Sequence, residues 1–341
     1  MSKPKHILVM RLSAMGDVAM TVPVLKAFSL QYPEVKITVA SRPFFKPFFR
    51  DIQNLDFFPV DVNGRHKGLK GLYQLFLDTK ALGITEVADL HNVLRAQVVR
   101  SFYKLFGYKV AATDKGRADK KELTKLAPKN IEPVKSMFQR HAETFAQLGY
   151  PLDLTHPVFA TKAVLTDKAL AIAGNKTQRW IGIAPFAQYQ TKVYPQYLMQ
   201  QVIDALAKAE NKVFLFGGGA KEIAVLNDLK KDYENVVVLA GKLTLDEEMD
   251  VISNLDVMLS MDSGNAHIAA LLGVRVVTLW GATHPFAGFL PFNQKLSDAL
   301  VPDLKQYPLL PTSVYGNKIV PGYEKVMETI LVADVVNKLM E

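Results

Sequence analysis

Asp262-Ser-Gly-Asn-Ala-His267 follows a mostly apolar run, Leu255 to Met261, and leads into a helical pattern, Ile268 to Leu272. A strand that ends in small polar residues and opens a helix presents backbone N–H groups at the positive end of the helix dipole. Such a corner is suited to a phosphate or diphosphate, although Ser and Asp are also ordinary helix N-caps. A second strand-to-helix corner, Arg11-Leu-Ser-Ala-Met-Gly-Asp17, follows the apolar run Ile7 to Met10. With one corner in each half, the chain is expected to form two nucleotide-binding-like domains with a cleft between them.

The surrounding sequence alternates in the same way. In the first half, strands are predicted over His6–Met10, Val35–Ala40 and Thr85–Leu90, with helices over Val18–Gln31, Leu69–Leu82, Leu94–Leu105 and Val134–Leu148. A short apolar helix is expected at Phe44–Phe49, and Thr113–Lys129, which contains Pro128, reads as a mobile loop. Tyr150–Val158, with Pro151 and Pro157, reads as a linker. Beyond it, strands are predicted over Trp180–Ala184, Lys212–Phe216, Val236–Leu239, Leu255–Met261 and Val274–Trp280. Helices over Tyr197–Ala207, Lys221–Lys230, Leu245–Asn254 and Ala266–Leu272 separate them, and a last helix, Tyr323–Met340, has no assigned partner. Strands separated by helices of this length call for an α/β fold with parallel sheets covered on both faces. Ligands in such sheets sit beyond the carboxyl ends of the strands, where both corners lie.

A chain of 341 residues is long for one core and fits two domains. Hydrophobic residues make up 49% and charged residues 22%, the balance of a soluble globular protein. The absence of cysteine excludes disulfides and thiolate metal sites. The N-terminus, Met1-Ser-Lys-Pro-Lys5, has no signal-peptide h-region, and no window approaches the ~20 apolar residues of a membrane helix. A cytoplasmic location is expected. The net charge of +8 is concentrated between Arg95 and Arg140, where 12 basic residues face four acids. That segment is either a solvated face or a docking surface for a polyanion such as an anionic lipid or nucleic acid.

Individual residues carry two readings each. Asp17 in a first helical turn complements the dipole, and Gly16 permits the turn. The functional alternative makes Asp17 a general base for an acceptor hydroxyl. Lys192 stands in a loop beyond strand Trp180–Ala184, either as plain surface or as the partner of a phosphate charge. Gly217-Gly-Gly-Ala-Lys-Glu222 is glycine-rich and opens a helix, but it lacks the GK[ST] ending of a Walker motif. Its tight turn would let a nucleotide approach closely, with Glu222 available to ribose hydroxyls.

Taken together, Ile7-Leu-Val-Met-Arg-Leu-Ser-Ala-Met-Gly-Asp-Val18, Asp89-Leu-His-Asn92, Lys192-Val-Tyr-Pro195, Phe216-Gly-Gly-Gly219, Met261-Asp-Ser-Gly-Asn-Ala-His-Ile-Ala-Ala270 and Val276-Val-Thr-Leu-Trp-Gly-Ala-Thr-His-Pro285 resemble glycosyltransferase family 9. These are the heptosyltransferases that build the inner core of lipopolysaccharide. The resemblance implies a GT-B architecture, with an acceptor-binding Rossmann-like domain over 1–158, a donor-binding one over 159–322 and a C-terminal helix over 323–341. It implies inverting transfer of a heptose from ADP-heptose to a lipid-linked (lipid A-Kdo type) acceptor, with no cofactor, no metal and peripheral contact with the inner membrane. Asp17 then matches the catalytic base, and Lys192 the residue that neutralises the leaving diphosphate. Gln188, Glu222, Leu243, Asp262, Ser263, Gly264 and His267 match donor-side positions; Ser13, Met15, Gly16, His91 and Arg95 match acceptor-side ones. The sequence departs from the family pattern at Ala187-Gln188, where Thr- or Ser-rich sequence is common. That departure bears on the phosphate contacts and on sugar identity.

Two other readings compete. A transferase of the same fold using another nucleotide sugar shares every motif above. A basic polyanion-binding protein accounts for the charge but not for both corners, and no helix-turn-helix, zinc or aromatic RNP pattern supports nucleic-acid binding. A dehydrogenase is disfavoured because the first corner lacks GxGxxG.

Overall fold

The computed structural model describes residues 4–127 and 129–341, in two compact units. The readings of Met1-Ser-Lys3 and Pro128 lie outside the described residues. The first unit comprises residues up to Gly116 together with Lys135–Val158. Its strands are β1 (His6–Met10), β2 (Lys36–Ser41), β3 (Leu55–Pro59), β4 (Glu86–Asp89) and β5 (Lys109–Ala112), all parallel in the order β3-β2-β1-β4-β5. Every residue of β1 is buried, as expected of a central parallel strand covered on both faces. The helix predicted over Val18–Gln31 is two helices, Met15–Ala19 and Val22–Gln31. Pro23, which has no N–H to donate, sits in the first turn of the second, and the Thr21 hydroxyl closes the first by donating to the Val18 carbonyl at 2.7 Å.

The second unit holds β6 (Trp180–Ala184), β7 (Lys212–Leu215), β8 (Val236–Val238), β9 (Val257–Met261), β10 (Arg275–Leu279) and β11 (Ala299–Leu300). The order β11-β10-β9-β6-β7-β8, again all parallel, is that of a dinucleotide-binding sheet. Its core joins Ile181, Val213, Leu259 and Val277 to the helix faces above them. The C-terminal segment is a 3-10 turn, Val326–Thr329, followed by a helix, Val332–Met340. That helix buries Val335 and Leu339 in the same core, and Arg179 caps it by donating to the carbonyls of Leu339 (2.7 Å) and Met340 (3.1 Å).

Residues 117–134 pack with the second unit, although a division at 158 places them in the first. The mobile loop expected over Thr113–Lys129 contains a helix, Arg117–Leu123, with Lys120 and Leu123 buried. Its charge hides how it is held. The Lys120 ammonium lies 4.0 Å from the centroid of the Phe289 ring, and Lys129 donates to the carbonyls of Leu309 (2.9 Å) and Pro311 (2.7 Å). The basic run Arg95–Arg140 is divided between the units, and Arg100, Arg140 and Lys135 are paired with Asp89, Asp114 and Glu143. No helix among the described residues is long and apolar enough to cross a membrane.

Candidate active site

The strand order reverses direction between β1 and β4 in the first sheet, and between β6 and β9 in the second. Both polar corners lie at these switch points, where the loops beyond adjacent strands diverge and leave a crevice.

At the first, Arg11 follows β1 and is buried. Its guanidinium donates to the Leu90 carbonyl beyond β4 at 2.6 Å and pairs with the Asp17 carboxylate at 2.7 Å. The same Asp17 oxygen accepts from the Ala14 N–H at 3.2 Å, so the carboxylate is fixed while its side chain stays 37% exposed. Met15 and Gly16 form the first turn beside it, both half-buried. Ser13 Oγ lies 3.4 Å from Nε2 of His91, and Nδ1 of that buried imidazole has no hydrogen-bond partner. Burial, followed by the charges of Arg11 and Lys115, holds the His91 pKa down to about 3; Asp17 opposes this and Arg95 adds to it. His91 is thus a neutral donor or acceptor at ordinary pH, not a cation. Asp89 supports the loop from below, accepting from the N–H groups of His91 (3.0 Å) and Asn92 (2.7 Å) and from Arg100 (3.0 Å).

At the second, the Lys192 ammonium donates to Asp262 Oδ2 at 3.1 Å, and the buried Thr283 hydroxyl donates to the same oxygen at 2.8 Å. Lys192 is carried by a loop clamped from two sides: the Ala282 N–H donates to the Thr191 carbonyl at 3.0 Å, and the Thr191 hydroxyl donates to the Gly316 carbonyl. Ser263 is the N-cap of the helix Gly264–Leu271, yet its side chain does not cap it. Its hydroxyl lies instead against Ser260 at 3.1 Å, leaving the first-turn N–H groups without their usual internal acceptor. His267, one turn into that helix, is buried. The second corner therefore sets one ammonium beside a helix N-terminus, an arrangement complementary to a phosphate.

Glu222 and Leu243 stand beyond the neighbouring strands β7 and β8. Glu222 accepts from the Gly218 N–H at 2.8 Å, closing the glycine turn. A Cβ on Gly217 would lie 3.0 Å from the Phe186 ring and 3.1 Å from Glu222 Oε2, so this loop packs against the one carrying Lys192. Gly241, at φ +75°, approaches Ile223 in the same way and brings the half-buried Leu243 loop alongside. Gln188 is exposed on the β6 loop, with no role fixed by the fold. Arg11 and Thr283 are additions to the expected set. Arg11 was visible as a charge placed directly after an apolar strand, and Thr283 lies within the Gly281-Ala-Thr-His-Pro285 stretch. Neither position reveals in sequence which carboxylate it holds.

Two doubly wound units, each with its polar corner at the switch point, form a GT-B fold, shared with solved heptosyltransferase structures. The family model for glycosyltransferase family 9 (heptosyltransferase) matches residues 86–309, and the chain belongs to that family. It is 22% identical over 304 residues to lipopolysaccharide heptosyltransferase 3 of Escherichia coli, covering 86% of this chain and 88% of the relative. Lipooligosaccharide heptosyltransferase 2 of Haemophilus influenzae is 24% identical over 305 residues, covering 82% and 84%. Among solved structures, a glycosyl transferase family 9 protein of Veillonella parvula superposes with a TM-score of 0.75 at 19% identity, over 99% of this chain and 97% of that one. E. coli heptosyltransferase WaaC, solved with ADP, gives 0.70 at 19% identity, over 97% and 98%. The chain is a glycosyltransferase, and these relatives are lipopolysaccharide and lipooligosaccharide heptosyltransferases.

Proposed function

We propose that the enzyme transfers a heptose from ADP-heptose to a lipid-linked lipopolysaccharide core acceptor in a single inverting displacement. The observation that carries this reading is the Lys192–Asp262 pair at the open N-terminus of helix Gly264–Leu271. A diphosphate placed there gains the ammonium and the first-turn N–H groups as its charge grows on departure. A related chain solved with ADP supports the choice of nucleotide. In the step itself, the acceptor oxygen attacks the anomeric carbon, the bond from that carbon to the diphosphate oxygen breaks, and the acceptor proton passes to Asp17. Arg11 pairs with Asp17, whose side chain is 37% exposed. Glu222 and Leu243 would receive the ribose and the adenine. Ser13, Met15, Gly16, His91 and Arg95 would line the acceptor side, with His91 acting as a neutral hydrogen-bonding group. Peripheral residence at the inner membrane belongs to this reading, since the acceptor is a lipid.

The test is transfer from ADP-heptose together with calorimetry of ADP. Asp17→Asn should lower kcat by a factor on the order of 10²–10⁴ with ADP affinity little changed, and Lys192→Ala should weaken ADP binding. Near wild-type turnover in the first variant would remove Asp17 as the base. Unchanged affinity in the second would move the diphosphate elsewhere. A different nucleotide sugar is the alternative favoured by Ala187 and the exposed Gln188, and a donor panel separates the two.

A further inference from the structure

One face of the first unit is left uncovered by its own fold: the seam between the helices Gly68–Lys80 and Leu94–Leu105. Both connect successive parallel strands, β3 to β4 and β4 to β5, and so run in the same direction. Leu69, Tyr73 and Leu77 recur every four residues along the first helix, and Leu94, Val98 and Phe102 do so along the second. Tyr73 meets Phe102 edge to face at 5.3 Å, so the two stripes lie side by side. The core is served by other residues, Leu72, Leu75 and Phe76 on one helix and Ala96, Val99 and Tyr103 on the other. Val98 and Phe102 pack against that core from its edge, whereas Leu69, Tyr73, Leu77 and Leu94 are exposed and lie outside it. Leu69, Leu94 and Leu105 are 74%, 77% and 81% exposed.

The charges around the seam are of one sign. Helix Leu94–Leu105 carries Arg95, Arg100 and Lys104 and no acid. Helix Gly68–Lys80 carries Lys70 and Lys80, and its single acid, Asp78, is held by both arms of Arg65 at 2.7 and 2.8 Å. The Lys80 ammonium lies over the Phe106 ring, 4.5 Å from its centroid, with the ring itself half-exposed. Arg100 is paired with Asp89, but Lys70, Lys80, Arg95 and Lys104 stand among the exposed leucines and aromatic rings, which together match the two requirements of an anionic bilayer surface, apolar depth and negative headgroups. Leu94 is three residues from His91, so the seam begins at the first corner.

We propose that this seam is a docking surface for an anionic lipid bilayer, which would bring the acceptor corner to the lipid surface. The proposal deepens the reading of a lipid-linked acceptor. Its test requires neither donor nor acceptor, so the two fail separately. The full chain is sedimented with vesicles of phosphatidylethanolamine and phosphatidylglycerol, and with vesicles of phosphatidylcholine alone. Binding is expected only to the anionic vesicles, falling as salt is added. Leu69→Glu/Leu105→Glu and, independently, Lys70→Glu/Lys104→Glu should each weaken it about tenfold or more while thermal unfolding and ADP affinity stay at wild-type values. Wild-type protein left in the supernatant, equal binding to phosphatidylcholine, or variants that sediment like wild type would overturn the proposal. So would a dimer in solution that Leu69→Glu/Leu105→Glu dissolves in the absence of vesicle binding, since the face would then belong to a second copy of the chain.

Discussion

Arg11 is buried at the end of β1 and joins two strand ends: its guanidinium reaches the Leu90 carbonyl beyond β4 and the Asp17 carboxylate on the first helix. Arg11→Met keeps the bulk but removes both donors. Leaving the buried carbonyl unsatisfied should cost about 1–3 kcal/mol in a denaturant titration. Turnover should fall about tenfold or more as Asp17 loses its anchor; wild-type kcat would show that the capping bond from Ala14 suffices to place it. Gly316 occupies a comparable position in the second unit. Its φ is +83°, and a Cβ there would lie 2.6 Å from Lys192 Cγ and 2.8 Å from Cδ. Gly316→Ala must therefore displace the lysine stem as well as strain the backbone. Calorimetry should show ADP binding about tenfold weaker, equivalent to ~1.4 kcal/mol, and undiminished affinity would place the diphosphate away from Lys192.

Secondary-structure elements differ in how much of themselves they write into the sequence, and the pattern here follows burial. The central strands β1, β6 and β9 are mostly apolar runs and were legible, as were β10 and β4, the latter in spite of Glu86 and Asp89 at its ends. Those that were not, β3, β5 and β11, are all edge strands, with at most one fully buried residue each. An edge strand half in solvent has no unbroken apolar run, and β3 also carries Asp56 and Pro59. The helix Arg117–Leu123 is hidden for a different reason, since its charged residues show no apolar stripe although Lys120 is buried against the Phe289 ring. The candidate site was read more completely than the edges because its residues sit at the ends of the central strands. What sequence could not supply was pairing: that Arg11 holds Asp17 and that Thr283 shares Asp262 with Lys192. Elements also set the pH response. Glu248, in the helix Leu245–Ser253, has its carboxyl pushed up to about 7 by burial. A raised folded pKa means that stability is full below about 4.5 and is lost as pH climbs through 7. His91 and His284, held down to about 3 and about 4 chiefly by burial, act in the opposite sense, losing stability as pH falls below 6.5. Glu248→Gln should raise the thermal midpoint above pH 7 and leave it unchanged at pH 4; an equal gain at both would mean packing, not charge, is responsible.

At the scale of the whole molecule, the two units repeat one solution. Each places its candidate side chains where its strand order turns back, so a single topological rule accounts for the positions of Asp17, His91, Lys192 and Asp262 together. The division of the chain between them is less simple than its sequence, because residues 117–134 leave the first unit and pack with the second before the chain returns at Lys135. Anyone building chimeras from this enzyme and its relatives inherits that detour. Grafting a foreign front half with its seam at 158 would import a strange 117–134 onto the native Phe289 ring and the native Leu309 and Pro311 carbonyls, which here receive Lys120 and Lys129. Exchangeable parts must be drawn in three dimensions: the insert travels with the rear half, and a recombinant fragment ending at 158 would carry a helix stripped of the surface that holds it.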